Sequence, residues 1–229
     1  QYCPKRLSQG SQGSCVGWSS AYAARTILHA RQFGKQADAV AFSPSSLYNQ
    51  IKLPGCQGAY IQNAMETMQS EGVLPFDDFP YDESTCSVMP DNTDFNDMAR
   101  YRTKGFNRLT EGGNNYKVDM LAIKQNIAQG APVVIGMMVG GSFMSDMMGK
   151  PIWKPTQSDY YMQGFGGHAM CIIGYDDDLD NGSFQIMKNV AINLGLKVII
   201  ENNYASHIGI KDKEYEIVGV EIKNSSKRI

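Results

Sequence analysis

The sequence has no apolar run that approaches the roughly 20 residues a membrane-spanning helix needs. It also has no excess of one charge, because 21 basic residues stand against 23 acidic ones, and this balance argues against nucleic acid or an anionic membrane as a partner. The five cysteines form no CxxC pair, which argues against a structural zinc site, and we expect neither a metal nor a cofactor. What remains is a globular composition, 42% hydrophobic and 19% charged, in 229 residues that can bury a sizeable core.

The cysteines give a first indication of the compartment. Because their number is odd, at least one thiol is unpaired within the chain. Cys56 and Cys86 both lie in turn-rich sequence, and a disulfide between them is one interpretation. Such a bond favours an oxidising environment, so we expect a secreted, periplasmic or cell-surface protein.

Apolar spacing and turn residues predict helices in the first half of the chain and strands in the second. The segment 15–32 is Ala-rich with apolar residues at helical spacing, and the Gly/Ser loop before it cannot be helical. Ser43 is a candidate cap for a helix with Pro44 at its first position. Residues 74–96, rich in proline, aspartate and aromatics, are expected to form an ordered loop. The other predicted elements are helices at 59–70 and 118–129 and strands at 132–139, 168–175, 184–188, 196–200 and 215–222.

This order of elements predicts the fold class. Helices followed by strands indicate an α+β fold in two lobes, because alternating βαβ units would mix the two types along the chain. The loop rich in glycine and asparagine at 112–115 is the best boundary. We therefore predict a single domain over 1–229, with a mainly helical lobe at 1–112 and a mainly β lobe at 113–229.

Cys15 lies where the Gly/Ser loop meets the start of the first predicted helix. A thiol attacks carbonyl groups well only as the thiolate, which a helix N-terminus stabilises and a nearby imidazole can generate. Among the three histidines, His168 has the best setting for that base, because small neighbours leave it unobstructed at a strand start. His29 lies on the first helix and His207 in a polar loop. The alternative is that Cys15 is a small core residue and His168 a structural one.

Two motifs resemble those of the papain family of cysteine peptidases. Residues 9–19 (QGSQGSCVGWS) are similar to the family's Gln-Gly-x-Cys-Gly-Ser-Cys-Trp-Ala-Phe-Ser, and residues 167–175 (GHAMCIIGY) to its His-Ala-x-x-x-x-Gly-Tyr. The resemblance implies Cys15 as nucleophile, His168 as base and then acid, and Gln9 as an oxyanion-hole donor beside the Cys15 backbone N–H. His168 follows Cys15 by 153 residues, near the roughly 130–150 of this family.

The resemblance extends in order from residue 1 to about residue 189. The further matches are FSPSSLY at 42–48, GCQGAY at 55–60 and FPY at 79–81, which resemble the family's Leu-Ser-x-Gln-x-Leu, Gly-Cys-Asn-Gly-Gly and Tyr-Pro-Tyr. In papain-like enzymes the second of these lines the cleft and pairs with an extended peptide in β-fashion. This implies Gly58 and Ala59 as substrate-binding residues, together with Gly167 beside His168. The implied fold is papain-like, with a helical lobe, an antiparallel β-sheet or barrel lobe and the active-site cleft between them, similar to a bacterial branch of the family.

The third catalytic residue of the family is an asparagine that orients the imidazole. Asn189 aligns with it, but residues 188–192 (KNVAI) lack the Ser-Trp-Gly that follows in the family. A plain β-edge role for Asn189 is an equal alternative. A Cys–His pair retains activity through the intrinsic nucleophilicity of the thiolate. We therefore expect this departure to lower the rate of catalysis before it abolishes the reaction.

Two further positions depart from the family pattern. Gln12 stands in place of a cysteine whose usual partner is the cysteine aligned with Cys56, which makes Cys86 the candidate replacement partner. Val16 stands in place of a tryptophan, so we expect Trp18 to rebuild the wall beside the nucleophile and to contact the substrate.

Two local clusters of residues each have a structural and a functional interpretation. The methionine-rich stretch 137–148 fits a core strand plus loop, with a flexible apolar wall for substrate side chains as the alternative. Residues 176–178 and Asp180 are aspartates that lack the spaced ligands and closing glutamate of an EF-hand, so a solvated turn fits them better than a calcium site.

The sequence therefore predicts a cysteine peptidase that hydrolyses peptide bonds through a thioacyl-enzyme and takes peptide or protein substrates. One alternative is a catalytically impaired papain-like module that binds peptide or protein partners, suggested by the missing Ser-Trp-Gly. A third hypothesis is another Cys–His acyl-transfer enzyme such as a cell-wall amidase, which fits the dyad but not the loop at 55–59. The oligomeric state is not predicted.

Overall fold

The structure is a computed structural model that describes residues 2–110, 118–139, 142–143, 152–153, 157–161, 166–178, 183–187, 196–198 and 217–219. The helices are α1 (Cys15–Gly17), a π-helical segment π1 (Trp18–Arg25), α2 (Thr26–Phe33), α3 (Pro44–Ile51), α4 (Ile61–Ser70), α5 (Asn92–Met98) and α6 (Met120–Ala128). The strands are β1 (Asn107–Arg108), β2 (Val133–Val139), β3 (Ile152–Trp153), β4 (Gly166–Asp176), β5 (Ser183–Met187), β6 (Leu196–Val198) and β7 (Ile217–Gly219). Single 3-10 turns lie at Ala37–Val40, Pro54–Cys56, Ala99–Tyr101 and Gln157–Tyr161. The predicted α+β class is confirmed, and the predicted boundary at 112–115 lies outside the described residues.

The first helix is the axis of the helical part. Segments α1, π1 and α2 follow one another without a break, so the helix predicted at 15–32 is confirmed. It ends at Gly34, whose left-handed φ of 62° suits a residue without a Cβ. Every residue of π1 is buried. The neighbours of the helix therefore cover it on all sides along this segment, and the helix carries Cys15 at its first position.

The caps of the other helices follow from local hydrogen bonds. Ser43 caps α3 as predicted, because its side-chain oxygen accepts the Ser46 N–H at 3.0 Å. The loop expected at 74–96 is wrong over its last residues, where α5 begins at Asn92. Asp91 accepts from the N–H of Asp94 at 2.9 Å, and the Asp94 carboxylate accepts from the Asp91 N–H at 2.9 Å. This reciprocal pair is a capping box with Asp instead of Glu, and it supports a helix too short to show apolar periodicity.

One seven-stranded sheet contains all the described strands, in the order β1-β7-β2-β4-β5-β6-β3. Its neighbours are antiparallel except for the parallel pair β3 and β6. Five of the strands were predicted, with ends within a few residues, whereas the two-residue strands β1 and β3 were not. Strands this short carry too few residues for an alternating pattern.

The central strand pair of the sheet is buried on both faces. Val134 of β2 lies opposite Cys171 of β4, and both belong to the core shared with the first helix. Ile135 lies opposite Met170, and both belong to a second core that includes Ile123 of α6. Successive side chains on a strand point to opposite faces, so β2 and β4 connect the helical part to the rest of the sheet. Strand β4 also carries His168, and this packing therefore holds the strand of the histidine against the helix that begins at Cys15.

Among the described residues, no helix combines the length and the apolar character that a bilayer crossing requires.

The far side of the first helix buries a histidine among aromatic rings. The His29 ring lies 4.6 Å from the Phe33 ring, 5.2 Å from the Phe42 ring and 6.0 Å from the Tyr101 ring, measured between centroids. The buried guanidinium of Arg25 lies 4.8 Å from the centroid of Phe42. Burial, and secondarily the Arg25 charge, lowers the pKa of His29 from 6.5 to about 4. His29 is therefore neutral in the folded protein at neutral pH and has a structural role.

We expect this histidine to weaken the fold in mild acid. The unfolded chain binds the proton more tightly than the folded one, so stability is lost as the pH falls from about 6.5 to about 4. Because the ring is partly exposed, the loss should be on the order of 2 kcal/mol rather than the full value of the shift. The substitution His29→Leu should reduce the difference between the unfolding free energies at pH 7 and pH 4.5 by that amount, measured by urea titration. An unchanged difference would contradict this account.

Candidate active site

Cys15 lies at the first position of the first helix, with its sulfur facing β4. The Ala169 N–H donates to Cys15 Sγ at 3.4 Å, so the sulfur contacts the residue that follows His168. Ser14 precedes the helix without a side-chain cap, and the N–H groups of the first turn therefore keep capacity for other acceptors. Of the three free cysteines, Cys3 is exposed and Cys171 is buried, whereas Cys15 is partly buried at the edge of the core.

Two opposing influences act on the thiol of Cys15. Burial is the larger and raises its pKa, whereas hydrogen bonds from the backbone N–H groups of Ala169, Val16 and Cys15 itself lower it. The net result is a raised pKa, so most of the thiol is protonated at neutral pH in the absence of a partner base. Formation of the thiolate therefore depends on a nearby proton acceptor, and the backbone donors are already in place to stabilise the charge.

His168 is the third residue of β4. It pairs with Met137 of β2 across the sheet. Its ring meets the ring of Phe143 at 6.1 Å between centroids, with the planes 63° apart. Phe143 is fully buried, so one side of the imidazole lies against an apolar wall. The structure thus brings His168 and Cys15 to the same junction of helix and strand.

The loop that precedes Cys15 is tied down by side-chain hydrogen bonds. The Gln9 side-chain amide donates to the Gln12 carbonyl at 3.0 Å. The Tyr81 hydroxyl lies 2.7 Å from the Gln9 carbonyl and 2.6 Å from Ser14 Oγ. A primary amide has two N–H donors, so this arrangement commits one of those of Gln9 and leaves the other for a ligand. Gln9 lies on the loop that leads directly to Cys15, and its role as an oxyanion donor stays a prediction.

The predicted disulfide is present, and it joins Cys56 to Cys86. Gln12, which replaces the cysteine of the family pattern, is 6% exposed. Its side-chain amide donates to the Asp82 carbonyl at 3.3 Å. The buried, hydrogen-bonded amide joins position 12 to Asp82 and the disulfide joins Cys56 to Cys86, so the segments around positions 12 and 56 are linked through residues 82–86.

A second loop runs alongside the first and carries Gly58 and Ala59. The Gly13 N–H donates to the Cys56 carbonyl at 3.2 Å, and the Gly58 N–H donates to the buried Tyr48 hydroxyl at 3.3 Å. A Cβ on Gly13 would lie 2.7 Å from the Cys56 oxygen and 2.8 Å from the Gly58 nitrogen. Only glycine therefore permits this close approach of the two backbones.

The glycines named as substrate contacts face open space. A Cβ placed on Gly167 would meet nothing within 4 Å, and one on Gly58 would meet only the end of Leu53 at 4.0 Å. Ala59 is partly buried and packs against the main core. The space outside both glycines is therefore open, although the Gly58 N–H and carbonyl are already paired with the Tyr48 hydroxyl and the Leu53 N–H.

Trp18 occupies a different place from the one predicted. It is 1% exposed and lies inside the helical core, with its ring 4.9 Å from Tyr22 and 4.8 Å from Tyr81. The reason is its position on the inner face of the buried helix, one turn after Cys15. The expected role as a substrate-contacting wall is therefore corrected, since the ring has almost no surface for a ligand.

Some of the predicted residues lie outside the part of the chain that the structure describes, and some residues at the site were not predicted. Asn189 and Asp180 lie outside the described residues, as does much of the methionine-rich stretch. Three residues that contact the site had no predicted role, namely Tyr48, Tyr81 and Phe143. A sequence motif does not reveal how close its residues lie to Cys15 or His168 in space. Within the described part of the chain, no group of three or more His, Cys, Asp or Glu side chains could hold a metal ion.

Comparison with known proteins decides the family. The sequence model described as "Papain family cysteine protease" matches residues 3–191, most of this chain. The chain belongs to the papain family. A peptidase C1-like protein of Acanthamoeba polyphaga mimivirus is 28% identical over 222 residues, which cover 89% of this chain and 68% of that protein. The predicted cysteine peptidase function is thereby confirmed at the level of the family.

Solved structures confirm the papain-like fold. Xylellain, a cysteine protease from Xylella fastidiosa, is similar with a TM-score of 0.71 and 23% identity, over 96% of this chain and 83% of that one. A cysteine protease of Carica candamarcensis, solved in complex with E-64, has a TM-score of 0.62 and 17% identity, over 97% of this chain and 95% of that one. At such identities the likeness concerns the fold alone, so the roles of single residues rest on the site geometry.

The close approach at Gly13 leads to a testable expectation. The substitution Gly13→Ala should force the loop before Cys15 away from the Gly58 loop, because the added Cβ meets backbone atoms that cannot rotate aside. We expect a loss of about 1–3 kcal/mol in unfolding free energy and a fall of at least tenfold in kcat/KM. The matched control is Gly105→Ala, where a Cβ meets nothing within 4 Å. If the two variants had the same unfolding free energy and kcat/KM, the close contact of the two loops would be shown not to matter for stability or catalysis.

Proposed function

We propose that this papain-family protein hydrolyses peptide bonds with Cys15 as nucleophile and His168 as its base and acid. The observation that carries the proposal is the hydrogen bond between Cys15 Sγ and the backbone N–H of Ala169, which brings the helix start and the His168 strand together. Because burial raises the pKa of the Cys15 thiol, the thiol needs a base at the site, and His168 is the imidazole on the adjacent strand.

The chemistry follows the standard course of acyl transfer. His168 takes the Cys15 proton, and the thiolate attacks the carbonyl carbon of the scissile bond. The carbon–nitrogen bond then breaks, the imidazolium gives its proton to the leaving amine, and a thioester to Cys15 remains. Water, deprotonated by His168, cleaves the thioester and restores the thiol. The proton of the Cys15 thiol thus leaves with the amine, and a proton from water returns to the sulfur through His168.

Gln9 and the Cys15 backbone N–H are the donors that we propose for the oxyanion. Both lie on the loop that the Tyr81 hydroxyl holds, and Gln9 has an amide N–H left after its bond to Gln12. Donors arranged in advance stabilise charge that develops in the transition state and have little reorganisation to undergo. Asn189 is proposed to orient the imidazole, on the strength of its alignment with the family motif.

Extended peptide is the proposed substrate, and its backbone would lie between Gly58 and Gly167. Open space outside both glycines supports this, since a peptide can approach the chain there without displacing a side chain. Ala59, the next residue on the first of these loops, is the third proposed contact. Peptide and protein substrates are the class that the family implies.

The cellular setting is also part of the proposal. The Cys56–Cys86 disulfide supports an oxidising compartment, so we propose a secreted, periplasmic or cell-surface protein of a bacterial type. We further propose that 1–229 form a single catalytic domain, with its helical lobe at 1–112 and its β lobe at 113–229. Of the described α-helices all but α6 lie before residue 112, and of the described strands all but β1 lie after it, which supports this division.

A catalytically impaired, peptide-binding module is the competing proposal, and the missing Ser-Trp-Gly after Asn189 supports it. The two proposals differ in turnover. Hydrolysis of a broad peptide library that disappears in Cys15→Ala would reject the impaired module. Binding of peptides without any turnover by the reduced, folded protein would favour it.

Covalent labelling tests the nucleophile directly. The epoxide E-64 should form one adduct, on Cys15, because an activated thiolate is required to open the epoxide. Mass mapping after proteolysis should find no adduct on Cys3 or Cys171. Cys3 is an internal control, since it is exposed and should react with iodoacetamide but not with E-64.

The companion variant is His168→Ala, which should keep the fold and lose at least about a hundredfold in labelling rate, as expected for the removal of a general base. Labelling of Cys3 and Cys15 by E-64 at similar rates, or an unchanged rate in His168→Ala, would overturn the assignment.

A further inference from the structure

We propose that Tyr81 is a positioning residue that clasps the two ends of the oxyanion loop, Gln9 and Ser14. This inference rests on the proposed function, because the loop matters only if Gln9 and the Cys15 N–H stabilise an oxyanion. The sequence motif FPY at 79–81 carried no assigned role, and the hydroxyl of its tyrosine is the feature that acquires one.

The direction of the hydrogen bonds follows from the atoms involved. The Gln9 carbonyl can only accept, so Tyr81 donates its single proton there, at 2.7 Å. The hydroxyl can then only accept from Ser14 Oγ, which lies 2.6 Å away. Gln12 Oε1 is a more distant acceptor at 3.3 Å and receives at most a share of the same proton. One chain of hydrogen bonds therefore runs from Ser14 through Tyr81 to Gln9.

This chain spans the two donors that the oxyanion needs. Gln9 carries the side-chain amide, and Ser14 precedes the Cys15 N–H by one residue. Between the clasped ends the loop contains two glycines, and Gly10 has a left-handed φ of 60°. Glycines leave a loop many accessible conformations, so a restraint on both ends is what keeps the two donors at a constant separation.

The tyrosine is itself firmly held. Its ring packs edge-on against the buried ring of Trp18, with centroids 4.8 Å apart. The segment that follows is joined to the loop by the Gln12 amide on the Asp82 carbonyl and to the Cys56 segment by the disulfide to Cys86. Burial raises the pKa of Tyr81, so its hydroxyl stays a proton donor throughout the working range of a peptidase.

The test separates reactions that form an oxyanion from one that does not. A peptide aldehyde built on the best substrate sequence of the wild type adds Cys15 sulfur to its carbonyl carbon and places an oxygen in the oxyanion hole. Iodoacetamide also reacts with Cys15 sulfur, but the sulfur displaces iodide from carbon and no oxyanion develops. Tyr81→Phe should raise the inhibition constant of the aldehyde about tenfold and lower kcat about tenfold, with KM changed less than twofold. The rate of Cys15 alkylation by iodoacetamide should stay within twofold.

The matched control is Tyr22→Phe. It also removes a buried phenol hydroxyl that donates to a backbone carbonyl, that of Lys5 at 2.7 Å, and its ring also packs on Trp18. It should match Tyr81→Phe in lost stability and leave aldehyde inhibition and kcat unchanged. If Tyr81→Phe does not fold, Ser14→Ala removes the other half of the clasp while the Tyr81 ring stays packed, and the same pattern is expected of it.

Each outcome decides something. If Tyr81→Phe or Ser14→Ala behaves like Tyr22→Phe, or if iodoacetamide alkylation falls together with kcat, the clasp is overturned while the proposed function stands. If the wild type itself neither hydrolyses peptides nor binds any peptide aldehyde reversibly, the proposed function fails, and the clasp fails with it.

Discussion

The contact between the start of the first helix and strand β4 is the constraint on which the rest of the site depends. The Cys15 sulfur accepts a hydrogen bond from the Ala169 N–H, and Ala169 packs into the same core as the helix. Because β4 pairs along its length with β2, and the pair is buried on both faces, the strand cannot shift without opening two cores. The nucleophile and the strand that carries its proposed base are therefore held by packing that lies below the site, together with the hydrogen bond from Ala169 to Cys15.

The loop before Cys15 has two requirements, because it must expose its backbone and still keep one conformation. Glycine at position 13 permits two backbones to approach closely, whereas the same freedom would let the loop move. The Tyr81 hydroxyl and the Asp82 carbonyl, which accepts from the buried Gln12 amide, restrain the loop, and the disulfide at Cys86 ties their segment to Cys56. The restraining groups therefore come from one segment, residues 81–86.

Departures from the family pattern are compensated locally where the structure describes them. An amide with two hydrogen-bonded partners fills the place of a lost cysteine at position 12, and Cys56 takes a new partner. These replacements keep the segments linked but use different residue types. A comparison of motifs alone therefore shows only that the family residue is missing.

Local patterns in the sequence were enough to predict the fold class, the first helix, the Ser43 cap and the family, because helical spacing, cap residues and the Gly-Ser-Cys and Gly-His-Ala motifs each lie within short stretches of chain. The same patterns pointed to Cys15, His168 and Gln9, whose residue types belong to one chemistry. Three other features became known from the folded chain: Trp18 is a core residue, Tyr81 reaches the loop seventy-odd residues before it, and Phe143 lies beside the histidine. These features depend on distances between segments far apart in the chain, and short-range patterns carry no information about such distances.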